Sequence, residues 1–181
     1  MPAGWPFIEI ERKFLVCSDS WRAKVFKTSF IRQSYLSTIP GVTSRVRQID
    51  DLAYLTFKTK TVGMSRGEIE FPIATDLAAW LFTICPHPVI EKERHLVSHA
   101  DVTWEVDVFL ARHLGLIVAE VELAHPLQAI TLPEWIGREV TSDPRYKNSH
   151  IYRAGLPRQK KKQHRPRIIK GSSQDQSVPI A

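Results

Sequence analysis

Between positions 7 and 124, apolar and polar residues alternate with a period of two in eight segments: 7–17, 30–37, 43–49, 53–61, 67–73, 89–97, 102–109 and 116–124. That period is the mark of a strand with one apolar and one polar face. Turn signals separate the segments, among them Pro40-Gly41, Asp50-Asp51 and Gly63. Three short stretches read as helices. The first, 20–26, has Asp19 or Ser20 as a capping residue; the second, 76–85, starts at Thr75 or Asp76 and stops before Pro86. The third, 132–137, carries Pro133 in a first-turn position, and 143–154 adds another turn or two. Many strands and few helices predict a mainly β (α+β) chain built on an antiparallel sheet or barrel.

The polar faces carry the chemical signal. Residues two apart share a face of a strand, so FIEIERKFLV sets Glu9, Glu11 and Lys13 together, with Arg12 the one charge on the apolar side. SRVRQ aligns Arg45 with Arg47, and TFKTK aligns Lys58 with Lys60. SRGEIEF aligns Arg66, Glu68 and Glu70, whereas IEKERHL puts Lys92 and Arg94 opposite Glu91 and Glu93. WEVDVF pairs Glu105 with Asp107, and AEVEL pairs Glu120 with Glu122.

A single polar face is ordinary for a sheet with one side in water. Here nearly every central position is ionised, and like charges sit side by side, which destabilises a strand pair unless something compensates. Closing the sheet with this face inward would gather eight carboxylates and about eight cations in one lumen. Burying an ion costs on the order of several kcal/mol even when it is well paired. A water-filled passage that takes up an anion and its metal ions removes the conflict. Carboxylates suit Mg²⁺ or Mn²⁺, and Arg and Lys suit phosphate oxygens. Both together suit phosphoryl transfer.

Charge distribution narrows the partners. The chain has 181 residues and a net charge of +6. Seven of its 25 Lys/Arg and one of its 19 acids lie in 157–181, which leaves 18 of each sign in 1–156. The expected organisation is therefore one neutral domain over 1–156 and a basic, disordered tail over 157–181. Nucleic-acid binding is not expected except through a weak contact of that tail. No apolar run is long enough for a membrane helix, and Met1 to Phe7 lacks the basic start of a signal peptide, so the expected location is the cytoplasm. Cys17, Cys85 and the histidines have no metal or redox spacing, and no Gly-rich phosphate loop is present.

The ordered set EIERKFLV, RVR at 45–47, FKTK at 57–60, RGEIEF at 66–71, EKER at 91–94, WEVDVF at 104–109, AEVEL at 119–123 and GREVTSDPRYKNSHIY at 137–152 resembles the CYTH domain, or triphosphate tunnel metalloenzyme, family. The start of the set looks like that family's ExExK signature. The resemblance covers about 8–152 and implies an eight-stranded antiparallel β-barrel tunnel with a few flanking helices. It implies Glu9, Glu11 and Glu122 as ligands of a substrate-bound Mg²⁺ or Mn²⁺, and Asp107, Glu120 and Glu122 as ligands of a second ion that activates water. Lys13, Arg45, Arg47, Lys58, Arg66, Lys92 and Arg94 match phosphate-binding positions, with Glu68 and Glu70 as supporting acids. Lys60 and Glu105 join by strand parity alone. Lys13 and Lys58, with Tyr35 nearby on the second strand, are the candidates for influence on catalysis; Tyr35 has plain packing as its alternative.

The resemblance implies metal-dependent hydrolysis of inorganic triphosphate to pyrophosphate and phosphate, with a homodimer plausible. The alternatives within the family are thiamine triphosphate, nucleoside triphosphates, or ATP cyclisation as in class IV adenylyl cyclases. Outside it stands a non-catalytic polyphosphate- or RNA-binding module. Pure anion binding has no use for acidic pairs on the same faces as the cations, which favours chemistry.

Overall fold

A computed structural model describes residues 8–39, 41–86 and 88–155; the first seven residues and the 157–181 tail lie outside the described residues. In chain order the strands are β1 (Ile8–Val16), β2 (Val25–Ile39), β3 (Val42–Ile49), β4 (Leu52–Thr59), β5 (Ser65–Ile73), β6 (Ile90–His99), β7 (Val102–Phe109), β8 (Ile117–Glu122) and β9 (Ile136–Glu139). Helices α1 (Thr75–Ile84) and α2 (Asn148–Ala154) complete the regular structure, with short 3-10 turns between. The sheet runs β5-β4-β3-β2-β6-β7-β8-β1, and β1 also pairs with β5, so eight antiparallel strands close into a barrel.

Closure rests on a division of labour along β1. Its first residues pair with β5, with Ile8 opposite Gly67 and Glu9 opposite Arg66. Its last residues pair on the same side with β9, with Phe14 opposite Glu139 and Val16 opposite Ile136. Closing the sheet removes the free edges that an open sheet would expose. Between the two pairings lies a seam, where Glu11 N–H donates to Met64 O at 3.3 Å and Val140 N–H donates to Lys13 O at 2.8 Å.

Two predicted helices are corrected by this pairing. The 20–26 stretch is a 3-10 turn, Ser20–Lys24, and β2 already begins at Val25, opposite Val97 of β6. The 132–137 stretch is not helical; residues from Ile136 onward form β9 because the β1 edge offers backbone partners that outweigh a Pro at a first turn. A Cβ on Gly137 would stand 3.0 Å from the Leu15 carbonyl oxygen, so glycine permits this close approach.

The apolar core lies mainly outside the barrel. Phe14, Val97, Trp104, Val106, Ala119 and Val121 on the outer faces of β1, β6, β7 and β8 pack with Trp21 and Trp135 from the connecting segments. Arg12, the exception on that face, pairs with Glu139 at 2.7 Å and lies over the Phe14 ring. On the other side, α1 buries Ala78 against Val46 and Ala53. Where the inward rows end, they turn apolar. Ile90, Phe109, Val118 and Tyr35 meet Ile151 and Tyr152 of α2 there, forming a plug at one end of the lumen.

Candidate active site: a charged lumen

The inward row of each strand lines one cavity of about 400 Å³. Its wall includes Glu9, Glu11, Lys13, Tyr35, Arg45, Arg47, Lys58, Arg66, Glu68, Glu70, Arg94, Glu105, Glu120 and Glu122. Strand parity thus brings together fourteen of the residues singled out above. Three stand elsewhere. Lys60 follows the last residue of β4 and is exposed, so the alternation that suggested it no longer applies. Lys92 and Asp107 are 1% and 0% exposed and form an ion pair behind the cavity wall. Asp107 also accepts from Arg94 Nε at 2.7 Å, so here it anchors the base of Arg94.

Opposite charges interleave around the wall. Lys13 Nζ lies 2.7 Å from Glu120 and 3.7 Å from Glu11. Arg66 reaches Glu9 at 2.6 Å and Glu11 at 3.3 Å, while Lys58 reaches Glu68 at 2.5 Å and Glu9 at 3.3 Å. Arg47 and Arg45 share Glu70, at 2.7 and 3.4 Å. Arg94 bridges Asp107, Glu105 and Glu120. Thr56, which parity on β4 could have flagged beside Lys58, donates to Glu70 at 2.6 Å.

These contacts set the ionisation of the wall. Burial works against the Lys13 charge, yet Glu120 and Glu11 hold its ammonium above the ordinary lysine range. Burial, with Arg45 and Arg66, pushes Lys58 down to about 8. Burial and Arg94 push Lys92 down to about 8 as well. Despite burial, Lys13 and Arg94 keep Glu120 well below the usual carboxylate range. Burial raises the Tyr35 hydroxyl, which therefore stays protonated at neutral pH.

One corner is compensated only in part, the exception being Glu122. Glu11 and Glu122 are direct cross-strand partners between β1 and β8, and Glu105 stands opposite Glu120 between β7 and β8. Burial together with Glu9 and Glu11 raises the Glu122 carboxyl. Among the described residues Glu122 has no ion-pair partner. Glu122, without a cation of its own and next to Glu11 and Glu120, completes a group of hard oxygen donors that matches the ligand chemistry of Mg²⁺ or Mn²⁺. Among the described residues no three acidic or imidazole groups already converge on one point, because Glu9 and Glu11 are turned toward Arg66.

The α2 end of the wall was not legible from parity. Lys147, Asn148 and Ser149 line the cavity there, beside Thr43. Tyr152, further along α2, donates to the Tyr35 carbonyl at 3.3 Å, accepts from Ser34 Oγ at 3.0 Å, and packs on the Tyr35 ring at 5.0 Å between centroids.

A closed antiparallel barrel with both signs of charge in its lumen defines the class, and comparison with known proteins agrees. The CYTH domain family model matches residues 8–151, and the chain belongs to that family. It is 42% identical over 144 residues to an inorganic triphosphatase of Acetivibrio thermocellus, spanning 79% of this chain and 92% of that protein. An inorganic triphosphatase of Nitrosomonas europaea is 35% identical over 147 residues, spanning 79% and 95%. The crystal structure of an inorganic triphosphatase superposes with a TM-score of 0.59 at 32% identity, covering 80% of this chain and 93% of that one. Among the described residues no helix is long and apolar enough to cross a membrane.

Proposed function

We propose that this chain hydrolyses inorganic triphosphate to pyrophosphate and phosphate with Mg²⁺ or Mn²⁺ in the lumen. The observation that carries this reading is Glu122, without an ion-pair partner among the described residues and directly opposite Glu11, set among cations that already bind carboxylate oxygens. A bound polyanion with its metal ions offers partners to both halves of the wall at once. The two inorganic triphosphatase relatives and the family match at 8–151 support it, as they support taking 1–156 as the catalytic unit.

Glu9, Glu11 and Glu122 would hold the ion on the substrate side, and Glu120 with Glu122 a second one. Asp107, buried against Lys92 and Arg94, would join the second set only by giving up those partners. Bound there, the ions would polarise phosphate oxygens and make water a usable nucleophile near neutral pH. The chain's own residues do the positioning. Arg45, Arg47, Arg66 and Arg94 offer planar forks that bind two oxygens each. Lys13, held as a firm cation by Glu120, stabilises charge that develops in the transition state. Lys58 is the lumen cation that gives up its proton most readily, so it is the candidate donor to the leaving pyrophosphate oxygen. Tyr35, protonated and facing the cavity, can donate a hydrogen bond but not act as a base.

The lining argues for an inorganic chain over a nucleotide or thiamine ester. Among the described residues Tyr35 is the only aromatic side chain on the wall, and it is buried against Tyr152, so it offers little surface on which a base or thiazole could stack. Phosphate release from tripolyphosphate, ATP and thiamine triphosphate, each with Mg²⁺ or Mn²⁺, tests the reading. Tripolyphosphate should be turned over fastest; preference for either ester would overturn the substrate assignment.

A further inference from the structure

Lys147 differs from every other cation on the wall. Lys13, Arg45, Arg47, Lys58, Arg66 and Arg94 each lie within 4 Å of a carboxylate. Lys147 lines the same cavity, half-buried, and among the described residues it has no ion-pair partner. It also lines the small adjoining space of about 20 Å³ at the β1 seam, which Glu11, Lys13 and Arg66 share. Its backbone is not free to drift. Lys147 N–H donates to Pro144 O at 3.2 Å, and its carbonyl accepts from His150 and Ile151. Four residues on, Ile151 is fully buried in the apolar plug. The fold therefore holds a half-buried lysine beside the triphosphate cavity without giving it a counter-ion.

We propose that Lys147 is a specificity-determining residue that binds a free terminal phosphate of the substrate at the α2 end of the lumen. The proposal rests on the triphosphate reading and deepens it. A chain phosphate carries a single negative charge, whereas a terminal one, with a second pKa of about 6, carries nearly two at neutral pH and offers three acceptor oxygens. An ammonium without a carboxylate partner gains most from the extra charge. The other lumen cations must loosen an existing ion pair to bind phosphate, so they discriminate less between chain and terminal groups. Asn148 and Ser149 beside Lys147 add neutral polar groups that suit the remaining oxygens. The plug of Ile151, Tyr152 and Phe109 lies next to them, so α2 joins the end of the phosphate site to the end of the barrel. The substrate class favoured is a linear phosphate chain with an unesterified end.

The test compares linear tripolyphosphate, which has two terminal phosphates, with cyclic trimetaphosphate, which has none. Calorimetric Kd values in metal-free buffer with EDTA, where the account predicts binding without turnover, would be measured for wild type, Lys147→Met and Lys147→Arg. A charge-assisted hydrogen bond of the usual strength corresponds to a loss of roughly ten- to hundredfold. Lys147→Met should weaken tripolyphosphate by about tenfold or more and change trimetaphosphate by less than about twofold, since no terminal group is read there. Lys147→Arg should restore most of the preference. Equal weakening of both ligands, as a merely structural role would give, or no change in either, would overturn the proposal. Turnover of tripolyphosphate by the wild-type chain is scored separately. A chain that binds but does not hydrolyse contradicts the triphosphatase reading while the linear-to-cyclic ratio still decides the role of Lys147.

Discussion

Glu11 of β1 and Glu122 of β8 face each other directly across the β1–β8 ladder, two carboxylates at one register position. Like charges so placed destabilise a strand pair by up to about 1 kcal/mol. The raised Glu122 carboxyl has the same origin, burial followed by Glu9 and Glu11. Replacing Glu122 by Gln should therefore leave the metal-free chain as stable or slightly more stable. The same change should abolish most of the rise in Tm that Mn²⁺ with tripolyphosphate gives the wild type through binding to the folded state. A metal-free Glu122→Gln protein that melts well below wild type would show that this carboxylate is structural.

Lys58 predicts a proton signature. Its folded pKa of about 8 lies below the ordinary lysine value. A polyanion beside it favours the ammonium form, so tripolyphosphate binding near pH 8.5 to 9 should take up a proton, read as a buffer-dependent heat. The sign for stability follows. With the folded pKa lowered, the unfolded chain binds more protons between about 8 and the ordinary lysine range, so this group's contribution to stability rises with pH across that window. Lys58→Met should remove the proton uptake; uptake that persists unchanged in the variant would assign it elsewhere.

Asp107 and Lys92 form a fully buried pair. Removing one partner of such a pair typically costs about 3–5 kcal/mol. Asp107→Asn should lower Tm strongly at pH 6, where Lys92 of the wild type is charged and paired. The loss should shrink above pH 9, because Lys92, already pushed to about 8 by burial and Arg94, can shed its proton. A Tm loss that does not vary with pH would contradict this account of the pair.

Tyr35 separates chemistry from packing. Its ring is fixed by Tyr152, whose hydroxyl also holds the Tyr35 carbonyl. Tyr35→Phe keeps the ring and removes only the hydroxyl in the cavity. The mechanism predicts a fall in kcat of at least about tenfold, typical of losing a hydrogen bond made in the transition state, with Tm close to wild type. Unchanged kcat would leave Tyr35 as a packing residue.

The lumen was legible in the sequence because a strand's period of two is a strict geometric rule. Glu9, Glu11 and Lys13 must share a face wherever the strand goes, and the like-charged rows recurring on neighbouring strands favour an enclosed polar site over an ordinary solvent-facing sheet. The rule stops where the strand stops, which is why Lys60, one residue past β4, falls outside. It also says nothing of depth, so Asp107 and Glu105, alike in parity, differ in that one is buried behind the wall and the other lines it. The end of the 132–137 stretch, from Ile136 onward, became a strand through a long-range partner, the free edge of β1 beyond Phe14, which no local propensity encodes. Lys147 was likewise invisible, since a short helix brings it to the cavity across the barrel end.

The most direct test of the central claim is the rate of phosphate release from tripolyphosphate with Mg²⁺ or Mn²⁺, for the wild-type chain and for Glu11→Gln. The account predicts metal-dependent turnover by wild type and a loss of about a hundredfold or more in the variant, which keeps the fold but removes one carboxylate of the ion-binding corner. Turnover that survives in Glu11→Gln, or that needs no divalent ion, would contradict it.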